Sequence, residues 1–317
     1  MSRVAVVGAG AWGTALALQA VRAGCGVALW ARDPAPLRAT RRSPHLPGHA
    51  LPDAVTLLDA LPGPGFDAVL LAVPVQHLRG IATRLWSAPP LIVCAKGIES
   101  GTLRLPVEIL ADVQPGAPSA VLTGPNFAHE VAAGLPAAAV LACADANLRD
   151  GLTGLIASPA FRIYGNDDPL GASLGGAAKN VIAIAAGAVM GAGLGENARA
   201  ALITRGLAEL GRLVAAQGGR ADTVAGLSGL GDLLLTCTGG ASRNYSLGLA
   251  LGQGEALADI LAARTGVTEG VATAPALVAR AAGVDLPVCA AVAALLSGRT
   301  RLDQAIAALL ARPRRDE

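Results

Sequence analysis

Lysine is almost absent from this 317-residue chain. Of its 25 basic residues only Lys96 and Lys179 are lysines, and the other 23 are arginines. A buried lysine can release a proton near neutral pH, whereas arginine stays charged. The two lysines are therefore either leftovers of an arginine-rich composition or positions kept for chemistry. Charge is sparse too, at 15% of residues with a net charge of +2. That is too near neutral for nucleic acid to be the main partner. Aromatics make up 3%. The five cysteines, Cys25, Cys94, Cys143, Cys237 and Cys289, are scattered and form no C-x-x-C pair. This argues against a disulfide framework or a zinc site and for a reducing, cytoplasmic setting. The four histidines, His45, His49, His77 and His129, lack metal-ligand spacing and read as loop or surface residues. No internal repeat or low-complexity linker is visible.

What is present is apolar. Hydrophobic residues make up 53% of the chain and its mean hydropathy is +0.51, which excludes a mostly disordered chain. The length suggests two domains. Residues 4–21 carry no charge and could pass for a signal or membrane segment, but Gly8, Gly10 and Gly13 break them. Strand, turn and helix fit better, so no membrane insertion is expected. Residues 181–195 read as a buried helix.

Residues 3–7, 27–30, 68–73, 91–95, 121–123, 137–142 and 161–164 are short, β-rich runs, and helical spacing separates the early ones. Alternation of this kind predicts an α/β fold with a mostly parallel, doubly wound sheet. Residues 33–53 read as loop. After Pro169 the texture turns Ala/Leu-rich and helical, with a stripe at Ile203, Leu207, Leu210 and Val214 closed by Gly218. Another helix opens at Pro287, and the charged tail from Arg312 should fray. The expected plan is a nucleotide-binding domain over residues 1–168 and an all-helical domain over 169–317.

Four motifs carry chemistry. Gly8-Ala9-Gly10-Ala11-Trp12-Gly13 follows a strand and opens a helix, the context a dinucleotide fingerprint requires. Arg32 and Asp33 end the second strand. An acid there favours the ribose hydroxyl of NAD and an arginine the phosphate of NADP. With both present either cofactor remains open, and Arg32 tips the expectation toward NADP. Lys96 stands past the end of a strand, where α/β ligands bind, and Gly124, Asn126 and Ala128 mark another strand-end turn. Lys179 follows two glycines at what reads as a helix start, in apolar surroundings that lower a lysine pKa. The small residues beside it would let a flat ring approach. Asp232, Thr236 and Ser242-Arg243-Asn244 complete the set. Ser242 is a good helix cap, and the triplet forms an anion site suited to phosphate. Glu196 and Asn197 read first as a cap, with Asn197 a site candidate.

Taken in order, GAGAWGTALA, HLPG, AVPVQHLR, AKGIE, LTGPNFAHEVAAGLP, GGAAKNVIAIAAG, ENARAALITRGLAE, GLGDLLLTCT, SRN and TEGV resemble bacterial NAD(P)-dependent glycerol-3-phosphate dehydrogenase across residues 4–275. The resemblance implies a Rossmann-type domain followed by an all-α domain, as in 6-phosphogluconate dehydrogenase. It implies reversible reduction of dihydroxyacetone phosphate to sn-glycerol 3-phosphate, feeding glycerophospholipid synthesis, with lysine acid–base catalysis and no metal. Lys179 would be the proton donor and acceptor. Lys96, Gly124, Asn126, Lys179, Asp232, Ser242, Arg243 and Asn244 would hold substrate. Gly8, Gly10, Ala11, Trp12, Gly13, Arg32, Lys96, Ala128, Arg243, Val267 and Glu269 would hold cofactor. The family usually has Ser at the positions of Asn126 and, often, Ala11. Asn126 can still hydrogen-bond, but Ala11 offers only its backbone. A homodimer is compatible with this reading. The alternatives are a ketopantoate-reductase-like or β-hydroxyacid dehydrogenase, and a silent NADP-binding sensor.

Overall fold

The computed structural model describes residues 1–86, 89–264 and 266–312. The tail beyond Arg312, expected to fray, lies outside the described residues. Among the described residues eight strands form one sheet: β1 (Arg3–Val7), β2 (Gly26–Trp30), β3 (Val55–Leu58), β4 (Ala68–Leu71), β5 (Leu91–Val93), β6 (Ser119–Thr123), β7 (Ala137–Ala142) and β8 (Phe161–Asn166). The order is β3-β2-β1-β4-β5-β6-β7-β8. β1 through β6 are parallel, β7 turns antiparallel to β6, and β8 follows β7. β1 and β4 are buried along nearly their whole length, as parallel strands covered on both faces must be. Six helices connect them: α1 (Ala11–Arg22), α2 (Ala35–Thr40), α3 (Val75–Ala82), α4 (Pro106–Val113), α5 (Ala128–Ala133) and α6 (Ala146–Ile156).

From Pro169 onward the described chain is helical: α7 (Pro169–Gly191), α8 (Gly195–Ala216), α9 (Ala221–Ala225), α10 (Asp232–Thr238), α11 (Arg243–Gly252), α12 (Leu257–Ala262), α13 (Glu269–Arg280), α14 (Pro287–Leu296) and α15 (Leu302–Leu310). A single π-helical turn, Leu227–Gly231, feeds α10. This is the expected plan of a doubly wound sheet followed by helices.

The sequence reading differs in detail. α2 falls within the stretch that reads as loop, because it is short and sits among prolines, and β3, just beyond that stretch, is a strand the sequence does not mark. α7 begins at Pro169, so Lys179 lies mid-helix rather than at a helix start. Gly175 and Gly176 look like a turn in sequence but are packing positions. A Cβ on Gly175 would come 2.6 Å from the Ser228 carbonyl oxygen. One on Gly176 would come 3.1 Å from Thr123 Oγ1 and 3.3 Å from Lys96 Cγ. The small residues thus serve the approach of α7 to its neighbours, and no open floor for a flat ring is needed to explain them.

α7 is the axis of the helical region. It is the one described helix long and apolar enough to cross a membrane, and 89% of its apolar window is buried within the protein. α11 crosses it at backbone distance. A Cβ on Gly187 would lie 2.0 Å from the Tyr245 carbonyl oxygen, and one on Gly248 would lie 1.9 Å from that of Ile184. Gly191 and Gly252 repeat the pattern one turn on. Hydrogen is the largest side group these four positions admit.

Candidate active site

The carboxyl ends of β1, β4, β5 and β6 lie side by side, and the order in which strands join the sheet reverses between β1 and β4. Open α/β sheets bind ligands at such a point. Gly8 turns the chain with φ +107°, and a Cβ there would meet the Ala72 carbonyl oxygen at 2.6 Å. A Cβ on Gly13 would sit 1.8 Å from the Gly8 carbonyl oxygen. Gly10 differs, because a Cβ there would meet nothing within 4 Å. Two glycines therefore close the turn and the third leaves room above it. α1 starts immediately after Gly10 with no side-chain cap, so its first N–H groups face that room. The Trp12 indole Nε1 is buried without a partner among the described residues. Space, free amides and an unpaired donor fit a pyrophosphate-bearing dinucleotide. α5, which opens with Ala128, packs against α1 and extends the same wall. Arg32 is exposed just past β2, while Asp33 accepts the Ala35 N–H at 3.1 Å.

A buried ion cluster lies further along the crevice. Lys96 comes from the sheet and Lys179 from α7, and Asp232 at the head of α10 joins them. Lys96 Nζ donates to Asp232 Oδ2 at 2.5 Å and to the Gly124 carbonyl at 3.0 Å. Lys179 Nζ donates to Asp232 Oδ1 at 2.5 Å and to Thr236 Oγ1 at 2.9 Å. Asp232 is 1% exposed. Two ammonium groups share one carboxylate, so the cluster carries an excess positive charge, with Lys179 and Asp232 buried and Lys96 partly exposed. Burial drives the Lys179 pKa down to about 8, with Lys96 pushing the same way and Asp232 pulling back. That is a range in which a group can both give and take a proton.

Gly124 adopts φ +133° and packs against β7, where a Cβ would lie 3.1 Å from Ala139 Cα. Asn126 Nδ2 donates to the Ala138 carbonyl at 3.1 Å, while its Oδ1 is buried and unpaired among the described residues. Thr123 Oγ1 is likewise buried and unpaired. Acceptors and hydroxyls thus stand ready beside the two lysines.

The first turn of α11 closes the other side. Ser242 caps it, its Oγ accepting the Tyr245 N–H at 3.2 Å. Asn244 Nδ2 donates to Asn180 Oδ1 at 2.9 Å, and its own Oδ1 accepts the Gly270 N–H at 3.0 Å. This ties the triplet to the residue after Lys179. Arg243 is exposed and lies against Gly266. Arg264 braces the turn, donating to the Arg243 carbonyl at 2.7 Å and to Ser246 Oγ at 3.0 Å. Glu269 points from α13 toward Gly97 and the start of α3. Burial raises its carboxyl to about 7, against the Val75 N–H and the Arg243 guanidinium. Val267 beside it is exposed.

The structure therefore gathers Lys96, Gly124, Asn126, Lys179, Asp232, Ser242, Arg243 and Asn244 around one crevice, with the glycine turn at its sheet end. Ser242 is engaged as a cap and Asn244 as a brace, so the anion character of the triplet rests on Arg243 and the helix amides. Asn180 carries no role in the sequence reading; its bond to Asn244 is visible only in the fold. Thr236, grouped with Asp232 in sequence, stands one helical turn after it and accepts from Lys179. Glu196 and Asn197 fall in the first turn of α8 rather than before it, with Glu196 paired to Arg199.

Comparison with known proteins agrees with this geometry. Residues 3–149 match the family model for the NAD-dependent glycerol-3-phosphate dehydrogenase N-terminus, and residues 168–307 match that for its C-terminus. The chain is 57% identical to the glycerol-3-phosphate dehydrogenase [NAD(P)+] of Acidiphilium cryptum, covering 99% of this chain and 98% of that one. It is 55% identical to the enzyme of that name from Gluconobacter oxydans, covering 98% and 97%. The crystal structure of glycerol-3-phosphate dehydrogenase from Coxiella burnetii superposes with a TM-score of 0.93 at 37% identity, covering 98% and 99%.

Proposed function

The chain belongs to the NAD-dependent glycerol-3-phosphate dehydrogenase family, and from that premise we infer that it reduces dihydroxyacetone phosphate reversibly to sn-glycerol 3-phosphate with NADH or NADPH. The observation that carries the chemistry is the buried Lys96–Asp232–Lys179 cluster, with the Lys179 pKa at about 8. Near-full-length likeness to enzymes of that name disfavours the ketopantoate-reductase reading.

Gly8, Gly10, Ala11, Trp12, Gly13, Ala128, Val267 and Glu269 hold the dinucleotide, which supplies the hydride when bound. Lys179 gives its proton to the ketone oxygen in reduction and takes it back from the hydroxyl in oxidation. Asp232 keeps Lys179 oriented and enough of it protonated near neutral pH. Lys96 sets a second positive charge where the oxygen gains negative charge. Arg243, with Ser242 and Asn244 shaping the turn, receives the substrate phosphate, which places the carbonyl toward Lys179. Asn126, through its unpaired Oδ1, holds a substrate hydroxyl, and Gly124 leaves room for it.

NADP is the preferred cofactor in this reading. Arg32 is exposed at the end of β2, whereas Asp33 is occupied by its own backbone. In this reading the boundary between the nucleotide-binding and helical domains falls at 168/169. A cytoplasmic location is supported by five free, buried cysteines. The reading includes a homodimer, no nucleic-acid partner, no membrane insertion and a place ahead of glycerophospholipid synthesis.

The test is a purified-enzyme assay with dihydroxyacetone phosphate, run with NADH and NADPH in parallel and followed by loss of reduced-nicotinamide absorbance. Lys179→Met should lower turnover by roughly two to four orders of magnitude with dinucleotide affinity unchanged. Arg32→Ala should weaken NADPH roughly tenfold, the cost of one charged hydrogen bond, and leave NADH alone. Near-normal turnover of Lys179→Met would sink the mechanism.

A further inference from the structure

Lys96 reaches Asp232 from the opposite half of the molecule, so its placement depends on how the two halves are set. The segment that follows it is stiff. Glu99 N–H donates to the Arg104 carbonyl at 2.9 Å and Leu103 N–H to that of Glu99 at 3.0 Å, closing a tight loop. Gln76 on α3 grips this loop with both ends of its amide, at Ile98 O (2.8 Å) and Ser100 N (2.9 Å). Arg79 holds the buried Glu99 carboxylate by Nε at 3.0 Å to each oxygen and by Nη2 at 2.8 Å. A displacement at the far end of such a loop is transmitted to Lys96 rather than absorbed.

Arg280, the last residue of α13, takes hold of that far end from the helical side. Its Nη1 donates to the Leu103 carbonyl and to Glu108 Oε2, both at 2.7 Å, and its Nη2 donates to Glu108 Oε1 at 2.8 Å. Its Nε donates to Gln217 Oε1 at 2.8 Å, and Gln217 Nε2 returns a bond to the Arg280 carbonyl at 3.0 Å. Glu108 Oε2 also accepts the Leu105 N–H at 2.7 Å. Leu103 is held in the left-handed region, φ +59°, which a leucine seldom adopts without outside support. One guanidinium thus joins the ends of α8 and α13 to the loop and to α4.

We propose that Arg280 is a positioning residue for the reaction: with Glu108 and Gln217 it fixes the setting of the helical half against the Lys96 loop, and so holds Lys96 on Asp232. The planar fork matters, because three acceptor groups in different directions must be met at once. A lysine keeps the charge and loses the fork. Rests of this kind act on turnover, since the dinucleotide turn at Gly8–Gly13 lies on another part of the sheet.

The proposal rests on the dehydrogenase reading, and its test has one arm that does not. Full-length Arg280→Lys and Glu108→Gln are compared with wild type. In the kinetic arm, Arg280→Lys should lower kcat roughly tenfold to a hundredfold, the range for a misplaced catalytic group, with KM for NADPH within about twofold. Glu108→Gln, which retains shape and some hydrogen bonds, should lose less. In the second arm, lysine-labelled wild-type protein gives one side-chain amine signal each for Lys96 and Lys179. Arg280→Lys adds a third from its own substitution, so Glu108→Gln, which adds none, fixes the assignment, and both variants should shift the signal of Lys96. An inactive wild type whose Lys96 signal still shifts would overturn the reaction and leave the clamp standing. Folded variants with wild-type kcat and an unmoved Lys96 signal would overturn the clamp.

Discussion

Replacing Asp232 by Asn should turn the enzyme into a poor reductase at neutral pH while sparing much of its capacity as a base. Asp232 contacts both ammonium groups at 2.5 Å and is 1% exposed. Charges about 4 Å apart interact by about 4 kcal/mol at an effective dielectric of about 20, or about three pK units. Asn retains an acceptor oxygen and local water relaxes into the gap, so about two units is the reasonable loss. Lys179 would then fall from about 8 to roughly 6. At pH 7 its protonated share would drop from about nine tenths to about one tenth, and reduction would lose roughly tenfold from this cause alone. The sign is fixed: a buried lysine deprived of its carboxylate prefers to be neutral. The assay is a pH titration of lysine-labelled protein, alongside the alkaline limb of kcat/KM for reduction, which reports the free enzyme. A Lys179 midpoint at or above 8 in Asp232→Asn would refute the account of how the cluster tunes its proton.

Other substitutions test other parts. Gly10→Ala should leave thermal stability unchanged, since its Cβ meets nothing within 4 Å, yet weaken dinucleotide binding in a titration; Gly13→Ala should fail on both counts. Gly248→Ala would press a methyl into the Ile184 carbonyl and should cost about 1–3 kcal/mol, read as a fall in the denaturant midpoint. Glu99 and Glu108 have pKa values held below the usual carboxylate range: burial alone would raise them, but Arg79 and Arg280 outweigh it. Their stabilisation is present above the unfolded carboxylate pKa and is lost as pH falls through the lowered folded values. The midpoint should therefore drop steeply on acidification, and Glu108→Gln should make that slope shallower.

The parts of this architecture that sequence exposed are those where one local rule dominates. The run RVAVV before Gly8 can hardly be other than a buried strand, and the three glycines after it have separate, checkable jobs. The two lysines stood out because so little else in the chain is lysine. What stayed hidden depends on partners distant in sequence. β3 is four residues long and is defined by pairing with β2. The glycines before Lys179 mimic a turn unless one knows that Ser228 and Thr123 press on them. Arg280 carries no motif at all, and its weight comes from Leu103, Glu108 and Gln217, brought together only by folding. Ser242 was legible as a cap, and its cap bond is what the fold displays.

The glycine-on-glycine crossing of α7 and α11 works as a caliper. One jaw carries Lys179 and Asn180, and the other carries Arg243. Because main chain touches main chain, no layer of side chains exists whose repacking could widen the gap by a fraction of an ångström. If Lys179 gives the proton and Arg243 receives the phosphate, as proposed, the separation of the backbones that carry them is set by atomic radii rather than by the residues that line the crevice. Selection for a substrate as short as a three-carbon phosphate would then reside in the scaffold. Enlarging lining residues would block the site, and trimming them would leave the span as it was. A longer phosphorylated ketone would need Gly187, Gly191, Gly248 and Gly252 to change together, on both helices at once.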